Sequence, residues 1–227
     1  MPRNWSIPAL CAASFALAIG ALAASASATE NQSFSIVIRN VSNDRTLQVS
    51  PSETRAVPVA PGAYAVVTDR STVFRQGEPA GSYELEMLAE DGNAEAVIAF
   101  LKEQPDVRQA GLFIPGQAFT VNAMPGDRLV FAAMFVESND LFYAPGPEGI
   151  ALFDDSANAL SGDITSQVVL WDAGTEINEQ PGVGSNQAPR QTGPNTGPTE
   201  NGVVRPVNDG FDYPAIGEVL EVTLSKE

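Results

Sequence analysis

Leu129-Val130-Phe131-Ala132-Ala133-Met134-Phe135-Val136 is an eight-residue apolar run entered through the turn Pro125-Gly126-Asp127 and left through Glu137-Ser138-Asn139-Asp140. A short run bounded by turn formers suits a strand, and apolar side chains at both parities mean burial on both faces, as at the centre of a sandwich. Phe119-Thr120-Val121 is the other arm of that turn. Working outward, Phe34-Ser35-Ile36-Val37-Ile38-Arg39-Asn40 alternates as a half-buried strand does and is stopped by Asn40, Asn43 and Asp44. Weaker or shorter strands are expected at 47–49 and 63–68, a further core strand at Val168-Val169-Leu170-Trp171, and a cleanly alternating closing strand at 219–224. Many short strands separated by turn residues predict a mainly β chain folded as an antiparallel β-sandwich.

One stretch breaks this pattern. Between residues 78 and 104, Tyr83, Leu85, Leu88 and Ala89 recur at helical spacing up to Asp91-Gly92, and Val97, Ile98 and Leu101 share a second helical face that stops before Pro105. The expectation is a short helical insertion of two helices, with its acidic residues on a solvated face. Residues 180–202, by contrast, are rich in Gly, Pro, Asn and Gln and have almost no apolar period. A loop this long inside a domain is usually either mobile or functional.

Composition narrows the function. The 227 residues include 12 Lys+Arg against 28 Asp+Glu, for a net charge of −16, with 44% hydrophobic residues, one Cys and no His. The apolar fraction is enough for a packed core. Without an imidazole, Ser-His-Asp and Cys-His catalysis and His-ligated zinc are excluded. The negative charge argues against nucleic acid and anionic lipid as partners and leaves room for a divalent cation.

Residues 1–28 read as a signal peptide: Arg3, an apolar run from Ile7 to about residue 23, and the cleavage pattern Ala26-Ser27-Ala28. The Ala-rich run is short for a membrane anchor, so export to the periplasm or outside the cell is expected, with no membrane insertion after cleavage. Cys11 stands at the start of that run behind the large Leu10, which does not suit a lipidated cysteine. Residues 29–227 would then form one cysteine-free domain, stabilised by its core and not by disulfides.

Three acidic loops follow or end apolar strands: Glu137-Ser138-Asn139-Asp140, Asp154-Asp155, and Asp172-Ala173-Gly174-Thr175-Glu176. Two such loops at one sandwich edge can supply the oxygen ligands of a hard cation such as Ca2+ from distant sequence positions. Gly174 permits a tight turn that brings Asp172 and Glu176 round to one point. The bland alternative is that each acid bonds its own loop backbone.

Met134-Phe135-Val136-Glu137-Ser138-Asn139-Asp140-Leu141-Phe142, followed by Trp171-Asp172-Ala173-Gly174-Thr175-Glu176, resembles the spondin N-terminal domain family, in which the strings look like M-x-V-P-S-x-D-x-F and Y-D-A-G-T-[DE]. The segments Gly77-Glu78-Pro79-Ala80 and Leu88-Ala89-Glu90-Asp91-Gly92, and the Gly/Pro/Asn-rich stretch 181–198, are similar to the bacterial branch. The resemblance spans about residues 34–224 and implies a C2-like sandwich with a calcium ion at one loop end, held by Asp140, Asp172 and Glu176. Glu137 departs from the family's usual Pro. Glu176 is a methylene longer than the Asp of animal members, whose cysteines this chain also lacks.

The expected function is that of an exported, non-enzymatic calcium-binding domain with a structural or adhesive role, partnered by an extracellular protein or polysaccharide. Two alternatives stand beside it. One is a secreted hydrolase using paired carboxylates, Asp140 with Asp172 or Asp154 with Asp155; the other is a metal-independent ligand-binding module. Trp171 is expected in the core, while Phe142 and Tyr143 suit either a core edge or a contact surface.

Overall fold

The computed structural model describes residues 1, 31–68, 73–80 and 83–227, so the expected signal peptide and Cys11 lie outside the described residues. Strands β1 (Gln32–Asn40), β2 (Leu47–Ser50), β3 (Glu53–Arg55) and β4 (Gly62–Val67) precede helices α1 (Tyr83–Asp91) and α2 (Glu95–Lys102). They are followed by β5 (Val107–Phe113), β6 (Ala118–Ala123), β7 (Arg128–Met134), β8 (Leu141–Pro145), β9 (Ile150–Ala151) and β10 (Gly162–Asp163). A 3-10 turn (Thr165–Gln167), β11 (Val168–Asp172), β12 (Arg205–Pro206), α3 (Ile216–Val219) and β13 (Leu220–Lys226) complete the chain.

Alternation in β1 and β13 turns Phe34, Ile36, Ile38, Leu220, Val222 and Leu224 inward. These two strands pair antiparallel at the centre of a four-stranded sheet ordered β10-β13-β1-β6. Facing it is a seven-stranded sheet ordered β12-β11-β8-β7-β4-β5, with β9 beside β7. Tyr64, Phe131, Phe135, Tyr143 and Leu170 of the larger sheet meet the smaller sheet across one continuous core. The fold is an antiparallel β-sandwich with a short helical insertion.

The opposite parity in β4, β7, β8 and β11 presents Ala65, Val67, Val130, Ala132, Phe142, Ala144 and Trp171 to the other side. There Leu85, Leu88 and Ala89 of α1 and Val97 and Leu101 of α2 cover them. The two-faced apolar run of β7 is therefore explained by a helical third layer, which the insertion supplies. Gly92, at φ +68°, ends α1, and the Asn93 N–H bonds back to the Met87 carbonyl at 3.0 Å. Trp171 is in the core as expected, stacked at a tilt on Phe74, and Phe142 and Tyr143 are both core residues.

Residues 180–202 have no regular elements but are bonded along their length. Gly182 N–H donates to the Glu137 carbonyl at 3.0 Å, Arg190 pairs with the Glu137 carboxylate at 2.8 Å, and Gln191 donates to Asp91 at 2.9 Å. Gln187 is completely buried, and its amide donates to the Gln180 carbonyl at 2.8 Å. The loop closes over one end of the larger sheet, where the acidic turns lie. Among the described residues, no helix is long and apolar enough to cross a membrane.

Candidate metal centre

The turn between β7 and β8 is built from its own side chains. Ser138 Oγ donates to the Phe135 carbonyl at 2.6 Å and accepts the Leu141 N–H at 3.1 Å, which tightens the chain reversal just where Asp140 leaves it. Pairing of β8 with β11 sets Leu141 opposite Asp172. Asp140 and Asp172 thus meet at the same sheet end although 32 positions separate them in the chain. Pairing of β11 with β12 then sets Arg205 opposite Asp172.

Carboxylate oxygens of Asp140, Asp172 and Glu200 lie within 4.8 Å of one another. Asp140 and Asp172 are both 0% exposed. Asp140 Oδ2 accepts from the Thr175 N–H at 2.7 Å, the Thr175 hydroxyl at 3.1 Å and the Glu176 N–H at 3.1 Å, while its Oδ1 is buried without a partner. Burial, and then the charge of Asp172, push the Asp140 carboxyl up to about 7 against those hydrogen bonds. Asp172 Oδ1 accepts the Gly174 N–H at 2.7 Å, and its Oδ2 accepts from Asn178 at 2.9 Å and from Arg205 at 2.8 Å. Burial raises Asp172 as well, with Arg205 pulling it back. Arg205 also reaches Glu200 at 2.7 Å, and the second oxygen of Glu200 is buried and unpartnered.

Gly174, at φ +70°, carries the turn after β11, and a side chain there would place Cβ 2.7 Å from the Val203 nitrogen. Glycine is required both by its dihedral and by the close passage of the returning loop. That loop is held by Glu200 N–H to the Thr175 carbonyl at 2.9 Å and Gly202 N–H to the Gly174 carbonyl at 2.7 Å. These bonds carry Glu200 to the two aspartates.

Glu176 is buried nearby, but its carboxylate accepts the Gly197 N–H at 2.7 Å and the Asn139 amide at 3.3 Å, so Glu200 stands in the three-carboxylate group where Glu176 was expected. Asp154 takes its hydrogen bonds from Asn158 and Ser156 in an exposed turn, which hold its carboxyl below the usual range, and Asp155 is exposed beside it. Both lie outside the carboxylate group.

Glu90 overturns the expectation that the helical acids face solvent. It is 2% exposed, its Oε2 has no partner, and burial pushes its carboxyl up to about 8, helped by the charges of Glu176, Glu86 and Asp140 and opposed by the Thr175 hydroxyl. The spacing of α1 held the signal: Glu86 and Glu90 are one turn apart, so they share a flank beside the Leu85, Leu88 and Ala89 stripe. Glu200 carried only a compositional hint, as an acid in the otherwise Gly-, Pro- and Asn-rich end of residues 180–202.

No protein-family model matches the chain, and none of the curated proteins is significantly similar to it.

Proposed function

We propose that this is an exported, non-enzymatic β-sandwich domain of the spondin N-terminal type, whose carboxylate group at the sheet end binds Ca2+ and whose role is structural or adhesive toward an extracellular protein or polysaccharide. The observation that carries the reading is Asp140: a fully buried carboxylate with one oxygen unpartnered, beside two further carboxylates. Arg205 is the only guanidinium bonded to this group among the described residues, and it leaves negative charge uncompensated. Burying unpaired carboxylates is costly unless they are protonated or coordinate a cation.

The donor set suits a hard ion, since every side-chain atom concerned is oxygen. Asp140, Asp172 and Glu200 would hold it, with Asp140 Oδ1 and Glu200 Oε2 the atoms that lack other partners. A bound cation supplies charge neutralisation there. The protein's own part is to fix the acids in place: Thr175 and Glu176 amides hold Asp140, and the Gly174 amide and Asn178 hold Asp172. The hydrolase reading is weaker on one observation: the cavity that opens beside the group is lined by neither Asp140 nor Asp172.

Calorimetric melting of the purified protein tests this. At calcium about 100-fold above Kd, a ligand specific to the native state adds about 2.7 kcal/mol. For a domain of this size that is a rise in Tm of about 5–10 °C. Asp172→Asn removes most of the rise. An unchanged Tm at millimolar calcium overturns the proposal.

A further inference from the structure

Next to the carboxylate group, a cavity of about 400 Å³ opens between α1 and the returning loop. Pro79, Ala80, Glu86, Glu90, Thr175 and Thr199 are among its lining residues, and among the described residues none that lines it is basic. Glu86 has one oxygen committed to the Asn195 amide at 2.5 Å. Glu90 is different: it is almost wholly buried, yet its Oε2 accepts no hydrogen bond. A buried acceptor of this kind costs stability unless a ligand completes it.

We propose that this cavity binds an alkylammonium group, with Glu90 as its counter-ion and Glu86, one helical turn away, as a second carboxylate. The group belongs either to a free amine or to a lysine side chain on a peptide; the recognising chemistry is the same. Three observations favour an organic cation over a second metal ion. Glu90 is not among the carboxylates whose oxygens converge. The cavity is far larger than one ion and falls in the range of small-molecule sites. The other polar side chains that line it among the described residues are neutral, the hydroxyls of Thr175 and Thr199 and the amides of Asn195 and Asn201, whose oxygens suit the N–H donors of an ammonium.

The test is isothermal titration of the purified protein with cadaverine and with a short peptide carrying one central lysine, each with calcium present and with chelator. Saturable 1:1 binding is expected of at least one of them. Acetylating the amine abolishes it, Glu90→Gln weakens it at least tenfold, and Glu86→Gln weakens it several-fold. Binding by cadaverine alone marks a free amine as the ligand source, and binding by the peptide alone marks a lysine-bearing partner. The proposal is overturned if neither probe binds, if the acetylated probes bind equally, or if Glu90→Gln and Glu86→Gln both bind as the wild type does. It is also overturned if calcium titrates a second equivalent that Glu90→Gln removes. Should Glu90→Gln fail to fold, Glu86→Gln and the acetylated probes decide the matter. The inference does not rest on the calcium reading: a missing calcium shift with amine binding intact removes that reading alone, and the reverse removes only this one.

Discussion

At Asp140 two ways of relieving a buried charge compete, because its carboxyl can be protonated or can meet a cation. Asp140→Asn separates them. An asparagine keeps an oxygen for the Thr175 and Glu176 donors, puts an uncharged NH2 in place of the unpartnered Oδ1, and removes one negative charge from the group formed with Asp172 and Glu200. Without calcium the variant should therefore melt at or above the wild-type temperature, and with calcium it should show no further rise. A fall of several degrees in both conditions would mean that the carboxylate is needed for folding itself. Gly174→Ala has the opposite character. Its φ of +70° and its approach to the Val203 nitrogen strain any side chain, so a loss of more than about 1 kcal/mol in denaturant unfolding is expected. Residue types made this part of the site readable in advance: Asp140, Asp172 and Gly174 all sit in strings whose chemistry is local. Glu200 and Glu90 were not readable in the same way, because their positions depend on a loop without periodicity and on which flank of α1 turns toward the sheet end.

At the scale of elements, the helical layer and the long loop do different work. Leu88 is completely buried between α1 and the larger sheet. Leu88→Ala should cost about 2–5 kcal/mol, as deletions in a well-packed core do, read from the urea midpoint at unchanged slope. The loop is tied by polar contacts. Arg190 donates to the Gly184 carbonyl at 2.8 Å and also pairs with Gln187 and with the buried Glu137. Arg190→Ala leaves that carboxylate unpaired, and hydrogen exchange should accelerate over residues 182–191 more than in β7 or β8. The strands and helices were legible because apolar period reports burial directly: 2 in β1 and β13, helical in α1 and α2. Strand β8 is less legible than β7, because Leu141-Phe142-Tyr143-Ala144 is only half as long as the apolar run at 129–136 and leaves an acidic turn directly, so it reads equally as a core edge or a contact surface. The order of this loop is not legible in the sequence, since it depends on single bonds to residues distant in the chain, Arg190 and Gly182 to Glu137 and Gln191 to Asp91, which no apolar period announces.

For the whole molecule, the buried acids couple stability to pH. Asp140 and Glu90 have folded-state values of about 7 and about 8, both above ordinary carboxylates. Between the unfolded and folded values the native state holds more protons than the unfolded chain, so its stability is greatest below about pH 4 to 5 as far as these groups go, and declines as pH rises through 7 and 8. A tenfold difference in proton affinity between the folded and unfolded chain is worth about 1.4 kcal/mol, which makes the decline a matter of several kcal/mol. In calcium-free buffer, Tm should fall by several degrees from pH 5.5 to 8.5, and saturating calcium should flatten that slope. A slope that is flat without calcium would remove these two groups from the account.

The two residues of β12 work as a checksum on the threading of the last quarter of the chain. Strand pairing alone puts Arg205 across from Asp172, with Pro206 across from Trp171. Because neighbours in a strand point to opposite faces, a slip of one position would turn the guanidinium away and leave Asp172 and Glu200 without their shared cation. A misregistered chain is thus penalised electrostatically at the carboxylate group, and correct pairing of this strand is enforced by charge as well as by apolar packing.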